Sequence, residues 1–235
     1  MAGNRRSMML CESAEGVHEK VIVLIKEEKR GRILDAPSGA GYLSNELKSI
    51  GFNPVCIDLD VEKFEFPDIE HTQADLNRDL PYEDGIFDYA VCVEGIEHIE
   101  DHFHLIREFK RVLKKGGKLI ITTPNILNMF SRLRYLLIGY YAFSGGYYAK
   151  THINLISFTK MISILDKEGL RIEKVTYNRN IACAKGVIAG AILWLLTPFI
   201  YAATFLKVKN SAIRQYLLSK ELLFGECLIV KAVKS

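Results

Sequence analysis

Residues 32–60, RILDAPSGAGYLSNELKSIGFNPVCIDLD, put more constraint on the fold than any other part of this chain. Ile33 and Leu34 read as a short buried strand. Gly39 and Gly41 permit a tight turn that no side chain obstructs, and Tyr42–Ser49 reads as a helix whose N-terminal amides face that turn. Gly51 ends the helix, and Val55, Cys56 and Ile57 form a second strand that delivers Asp58 at its carboxyl end. A strand, a glycine turn, a helix and a second strand ending in an acid form a cradle in which a nucleotide cofactor rests on backbone, with a carboxylate about 20 residues beyond the glycines to take a ribose.

The order of residues in the turn narrows the cofactor. A dinucleotide fingerprint has glycine at three positions, so that a pyrophosphate can lie on the helix N-terminus; here Ser44 holds the third and Asp35 precedes the turn. A fixed negative charge at Asp35 repels a pyrophosphate and suits a ligand carrying an ammonium and a sulfonium. With Asp58 for the ribose, the segment resembles motif I and the following acidic position of class I S-adenosylmethionine-dependent methyltransferases, with Pro37, followed by Ser38, where that family more often has its first glycine. The resemblance implies S-adenosylmethionine as cofactor, held through Asp35, Pro37, Ser38, Gly39, Gly41 and Asp58. It also implies a Rossmann-like α/β three-layer sandwich, with a mostly parallel seven-stranded sheet whose last strand is antiparallel.

Further along, Asp75 and Leu76 end the next strand, where the resembled family contacts the adenine amino group; an Asp capping a turn is the alternative reading. Residues 87–93 form an apolar run broken only by Asp88, as a strand buried on both faces requires. The run leads into Glu94-Gly95-Ile96-Glu97-His98, whose E-x-x-E-H-I pattern is similar to the branch containing quinone O-methyltransferases. That likeness sets Glu94 along the methionine part of the cofactor. LKKGGKLIITTPN, residues 113–125, extends the resemblance as helix end, Gly-Gly, strand and Pro. His98, His102 and His104 with Glu97 or Asp101 suggest a metal site, but residues 102 and 104 diverge on a helix, so no metal is expected.

Composition sets the outer bounds. At 235 residues and 49% hydrophobic content the chain can bury one full core, so residues 1–235 read as a single domain with a loose tail over 1–15. A formal charge of +3 lacks the basic stripe of a nucleic-acid binder, so no nucleic-acid partner is expected. The five cysteines include no C-x-x-C pair and read as reduced, in a cytoplasmic protein.

Two insertions carry the remaining expectations. Residues 125–156 are rich in Tyr and Phe, with Arg132, Arg134 and Lys150 among them, and read either as a cover over the substrate or as a structural insertion. The wider insertion over 181–221 contains residues 186–206, an uncharged stretch of spanning length with Pro198 inside it, flanked by Lys185, Lys207 and Lys209. A single crossing would leave the last strand, residues 226–234, on the far side of a membrane. The stretch therefore reads as a bent hairpin or interfacial helix on the inner membrane face, with a buried helix or subunit contact as the alternative. Methyl transfer to an oxygen of a small or lipid-linked acceptor follows from the resemblance, with His98 or His152 as the candidate general base because imidazole titrates near neutrality. A non-catalytic S-adenosylmethionine-binding partner protein and a nicotinamide-dependent oxidoreductase are the competing classes.

Overall fold

The computed structural model describes residues 13–140, 142–144, 151–181, 187–209 and 211–235. Helix α1 (Val17–Ile25) leads into β1 (Arg32–Asp35), α2 (Tyr42–Ser49) and β2 (Asn53–Asp58). Then follow β3 (Glu70–Gln73), β4 (Phe87–Cys92), α3 (His102–Val112) and β5 (Leu113–Pro124). The second half comprises α4 (Met129–Ile138), α5 (Phe158–Lys167), β6 (Leu170–Tyr177), α6 (Val187–Lys207), α7 (Ser211–Leu217), α8 (Lys220–Phe224) and β7 (Cys227–Lys234).

The strands form one seven-stranded sheet in the order β3-β2-β1-β4-β5-β7-β6. β7 runs antiparallel to both its neighbours, and all other pairings are parallel. The strand period of two sends alternate residues to opposite faces, and both faces are apolar. Leu34, Val55, Ala90, Cys92 and Leu119 pack with α3 and α5 on one side. Ile33, Tyr89, Val91, Ile120 and Ile229 pack with α1 and α2 on the other. These helices present matching stripes: Val17, Val21, Leu24 and Ile25 on α1, and Leu105, Ile106, Phe109 and Val112 on α3, are all buried. The chain winds from β1 outward to β3 and then returns to β4 on the other side of β1. That reversal opens a crevice at the carboxyl ends of β1, β2 and β4, where open α/β sheets hold their ligands.

Three details differ from expectation. Pairing of β5 begins at Leu113 rather than near Lys118, because the Lys-Lys-Gly-Gly segment is accommodated as an irregularity in the register between β4 and β5. Residues 1–12 of the expected tail lie outside the described residues, but Ser13–Glu15 are not loose: the Ala14 N–H is bonded to the Glu94 carboxylate and Asn178 Nδ2 donates to Glu15 O. The apolar stretch is not a hairpin. Val187–Lys207 is a single helix with Pro198 inside it, and Lys185 lies outside the described residues. Ile200 docks this helix against Met129 and Leu223, while Leu195, Phe199, Phe205 and Leu206 are exposed. Among the described residues no helix is long and apolar enough to cross a membrane.

Candidate active site

A cavity of about 560 Å³ opens at the carboxyl ends of β1, β2 and β4. Asp35, Pro37, Ser38, Gly39, Asp58, Asp75, Leu76, Glu94, His98 and His152, drawn from distant parts of the sequence, all line it. Gly41 does not: it is the N-cap of α2, and its α-carbon faces the Phe64 and Phe66 rings beside the turn. Ser13, Ala14 and His18 close the cavity from the N-terminal side, and Phe143 and Thr151 border it from the 125–156 insertion. Arg132, expected as part of a cover, is largely committed to structure, donating to Leu127 O and Leu217 O. Lys150 lies outside the described residues.

The acids are not equivalent. Asp35 is 1% exposed and accepts a 2.7 Å hydrogen bond from Ser44 Oγ. Burial pushes its carboxyl up to about 6, so the charge expected from the sequence at Asp35 is a buried one held by the Ser44 hydroxyl. Ser44, which in the sequence only marked a missing glycine, supplies that bond. Asp58 braces the turn: one carboxylate oxygen accepts from the Gly39 N–H at 2.8 Å and the other from the Asp60 N–H at 3.0 Å. Asp75 accepts from the Asn77 N–H and Nδ2, which is the turn-capping geometry, and the Asn77 N–H holds its carboxyl below the usual range. Leu76 beside it is buried in the core. Glu94 has φ of 45°, left-handed backbone that a non-glycine residue seldom adopts, and accepts from the Ala14 N–H and from Cys227 Sγ. Burial raises its carboxyl above the ordinary value.

Beside Glu94 the structure gathers Glu97, His98 and His152. Their ligand-type atoms, one from each residue, lie within 4.8 Å of one another. His98 Nδ1 is 2.6 Å from Thr151 O and His152 Nδ1 is 3.1 Å from Phe143 O, with the two rings edge to face at 5.1 Å between centroids. Because a carbonyl only accepts, each Nδ1 carries the proton. Burial, and then the neighbouring His98, lower the His152 pKa. Glu97 is fully buried; Thr123 Oγ1 donates to its Oε2, while Oε1 has no hydrogen-bond partner among the described residues. Burial pushes Glu97 up to about 8. The sequence reading weighed Glu97 with His98, His102 and His104; of those three histidines only His98 joins the group found here. His152 was not considered with Glu97 because it approaches from the far insertion, which helix spacing around residue 98 does not reveal.

Solved methyltransferase structures share this architecture. An S-adenosylmethionine-dependent methyltransferase of Archaeoglobus fulgidus superposes with a TM-score of 0.61 at 17% identity, over 93% of this chain and 95% of that one. One from Mesorhizobium loti does so with a TM-score of 0.57 at 17% identity, over 93% and 99%. The sheet and its cavity thus define a class I S-adenosylmethionine-dependent methyltransferase fold, whose cofactor is S-adenosylmethionine. The chain belongs to the methyltransferase domain family, which it matches over residues 12–175. Among curated relatives, the ubiquinone biosynthesis O-methyltransferase of Xanthomonas oryzae pv. oryzae is 33% identical over 103 residues, which is 40% of this chain and 43% of that protein. The corresponding enzyme of Xanthomonas axonopodis pv. citri is 32% identical over 108 residues, 42% and 45%. The chain thus spans less than half the length of these relatives. The nicotinamide alternative falls with this assignment. The turn also fits the cofactor: a Cβ built on Gly39 would meet nothing within 4 Å, which leaves bare backbone facing open space in the cavity.

Proposed function

We propose that this protein transfers the methyl group of S-adenosylmethionine to an oxygen of a small or lipid-linked acceptor. The observation that carries the reading is that the glycine turn and the Glu97–His98–His152 group open onto one cavity. In this reading Asp58 takes the ribose, Asp75 and Leu76 border the adenine, and Pro37, Ser38, Gly39 and Gly41 shape the turn. Asp35 and Glu94 lie toward the methionine ammonium. The bound cofactor supplies an already activated methyl, so the protein has to align the acceptor, exclude water and accept a proton. His98 and His152 are the candidate bases: with Nδ1 donating to a carbonyl, each ring presents Nε2 as the proton-accepting nitrogen. A non-catalytic S-adenosylmethionine-binding partner would have no use for two imidazoles converging on a buried carboxylate. The O-methyltransferase relatives favour an oxygen acceptor. Calorimetry tests the cofactor assignment: S-adenosylhomocysteine is expected to bind and NADH not to, with Asp58→Ala weakening the former by about tenfold or more, the loss of a charge-assisted hydrogen bond. NADH binding without any response to S-adenosylhomocysteine would refute the reading.

Helix α6 supports a peripheral contact with the inner face of a membrane, from which the acceptor is drawn. Its Leu195, Phe199, Phe205 and Leu206 are exposed, as are Leu136, Leu137 and Ile138 at the end of α4. Lys207 and Lys209, also exposed, suit anionic headgroups. At about 25 cal/mol per Å², a few hundred Å² of this surface entering the headgroup region supplies several kcal/mol, enough for reversible attachment. The protein is expected to float with anionic liposomes, less so at high salt, and to stay at the bottom of the gradient when Leu195, Phe199, Phe205 and Leu206 become Ser. An intact, monodisperse protein that never floats would remove the lipid acceptor from consideration.

A further inference from the structure

We propose that Asn77 and Asn154 are positioning residues that couple the cofactor end of the cavity to its histidine end by gripping one peptide group from both sides. That group joins Ile99 to Glu100. Its N–H, on Glu100, donates to Asn77 Oδ1 at 2.9 Å, and its carbonyl, on Ile99, accepts from Asn154 Nδ2 at 3.1 Å. The N–H and C=O of a trans peptide point in opposite directions, so the unit stands between the two side-chain amides and cannot tilt toward one without losing the other. Each amide is also held elsewhere. The Asn77 N–H and Nδ2 both donate to Asp75 Oδ1, at 2.9 and 3.0 Å, which leaves the Asn77 oxygen as the atom facing Glu100. Asn154 Nδ2 spends its second hydrogen on Glu100 O at 2.9 Å, and the Asn154 N–H donates to Glu97 O at 3.0 Å. Asp75, Asn77 and Ile99 all line the cavity, so this chain of amides follows its wall and ends two residues from His152. Successive amide hydrogen bonds polarise one another, so fixing one end firms the other.

This inference rests on the methyl-transfer reading, in which Asp75 borders the adenine, and deepens it. A cofactor held at Asp75 fixes that carboxylate, and the carboxylate fixes the Asn77 amide. The Ile99–Glu100 peptide and Asn154 then seat residues 151–154 so that the His98 and His152 rings stay together. Neither asparagine has to touch the reacting atoms.

The test uses the full chain and amide hydrogen exchange read by mass spectrometry, with and without saturating S-adenosylhomocysteine. The ligand is expected to slow exchange over residues 151–157 by about 2–10-fold, the range that one net hydrogen bond supplies. In Asn77→Ala and in Asn154→Ala that slowing is expected to vanish while the slowing over residues 33–58 remains. The double variant is expected to lose no more than either single one, because both side chains grip the same peptide. A merely structural role would speed exchange equally with and without the ligand. Calorimetry on each sample shows that the variants fold and bind; Asn77 is exposed, so its variant is expected to fold whatever Asn154→Ala does. Slowing over residues 151–157 that survives in Asn77→Ala overturns the coupling, as does S-adenosylhomocysteine binding to the intact protein without any such slowing, and both leave the methyltransferase reading in place. Failure of the intact protein to bind S-adenosylhomocysteine removes that reading and the coupling with it.

Discussion

Alanine at His98 or at His152 is expected to lower turnover by about 10²–10⁴-fold while S-adenosylhomocysteine affinity is retained. The split follows from geometry. Neither ring belongs to the glycine turn or to the acids at the carboxyl ends of β1 and β2, so the cofactor keeps its backbone cradle. On the proposed reading, what the variants lose is the nitrogen that accepts the acceptor's proton. Each ring also bonds a carbonyl of the 125–156 insertion, Thr151 O or Phe143 O, so part of the loss is expected as a raised KM for the acceptor. Single-turnover kinetics with saturating cofactor, on a catechol-like or quinol acceptor, give the measurement. If both variants retain full turnover, alignment alone drives the transfer and neither histidine has a chemical role.

Much of this architecture was legible because the strands obey simple periodic rules. β1, β2, β4 and β7 appear where short apolar or alternating runs are bounded by glycine or charge, and Asp35 and Asp58 sit at strand ends as the spacing required. Local chemistry carried the cofactor end of the site for the same reason: motif I and its acid lie within a single unit of the chain. The Glu97–His98–His152 group depends on contacts between segments far apart in sequence. His152 meets His98 only because Asn154 bonds Glu97 O, Ile99 O and Glu100 O, pinning the end of the insertion against the turn after β4. Ala14 reaches Glu94 across the whole β1–β4 unit. Neither contact leaves a periodic trace in the residues. Asp35 shows a subtler limit, since its position was readable while its state was not: burial and the Ser44 hydroxyl, in the first turn of α2, decide how its charge is presented.

Three glycines around the turn are expected to separate cofactor binding from folding when each is replaced by alanine. Gly39 has φ of 51° and open space where a Cβ would go. Its replacement costs roughly 1–2 kcal/mol for left-handed backbone, which for a chain of this size lowers Tm by about 2–8 °C. The new methyl then stands where the cofactor must approach, so S-adenosylhomocysteine affinity should fall by about tenfold or more, beyond what the stability change explains. Gly41 has φ of 88° and a Cβ there would lie 2.5 Å from Phe64 Cε2. It borders the ring packing and not the cavity, so Gly41→Ala is expected to lower Tm more than Gly39→Ala while its effect on affinity is secondary. Gly95 carries no left-handed strain, with φ of −113°, but its Cβ would lie 2.2 Å from Pro37 Cδ and 2.7 Å from Pro37 Cγ. A proline ring cannot rotate away, so the methyl must displace the turn itself; overpacking of this kind costs about 1–3 kcal/mol or more. Gly95→Ala should therefore lose stability and cofactor affinity together, which ties the Pro37-for-glycine departure in motif I to a small residue at the end of β4. Thermal melts and calorimetry on the same three samples give the comparison. Full S-adenosylhomocysteine affinity in Gly39→Ala would mean that the ligand does not rest on this turn, and the cradle would have to be sought elsewhere in the cavity.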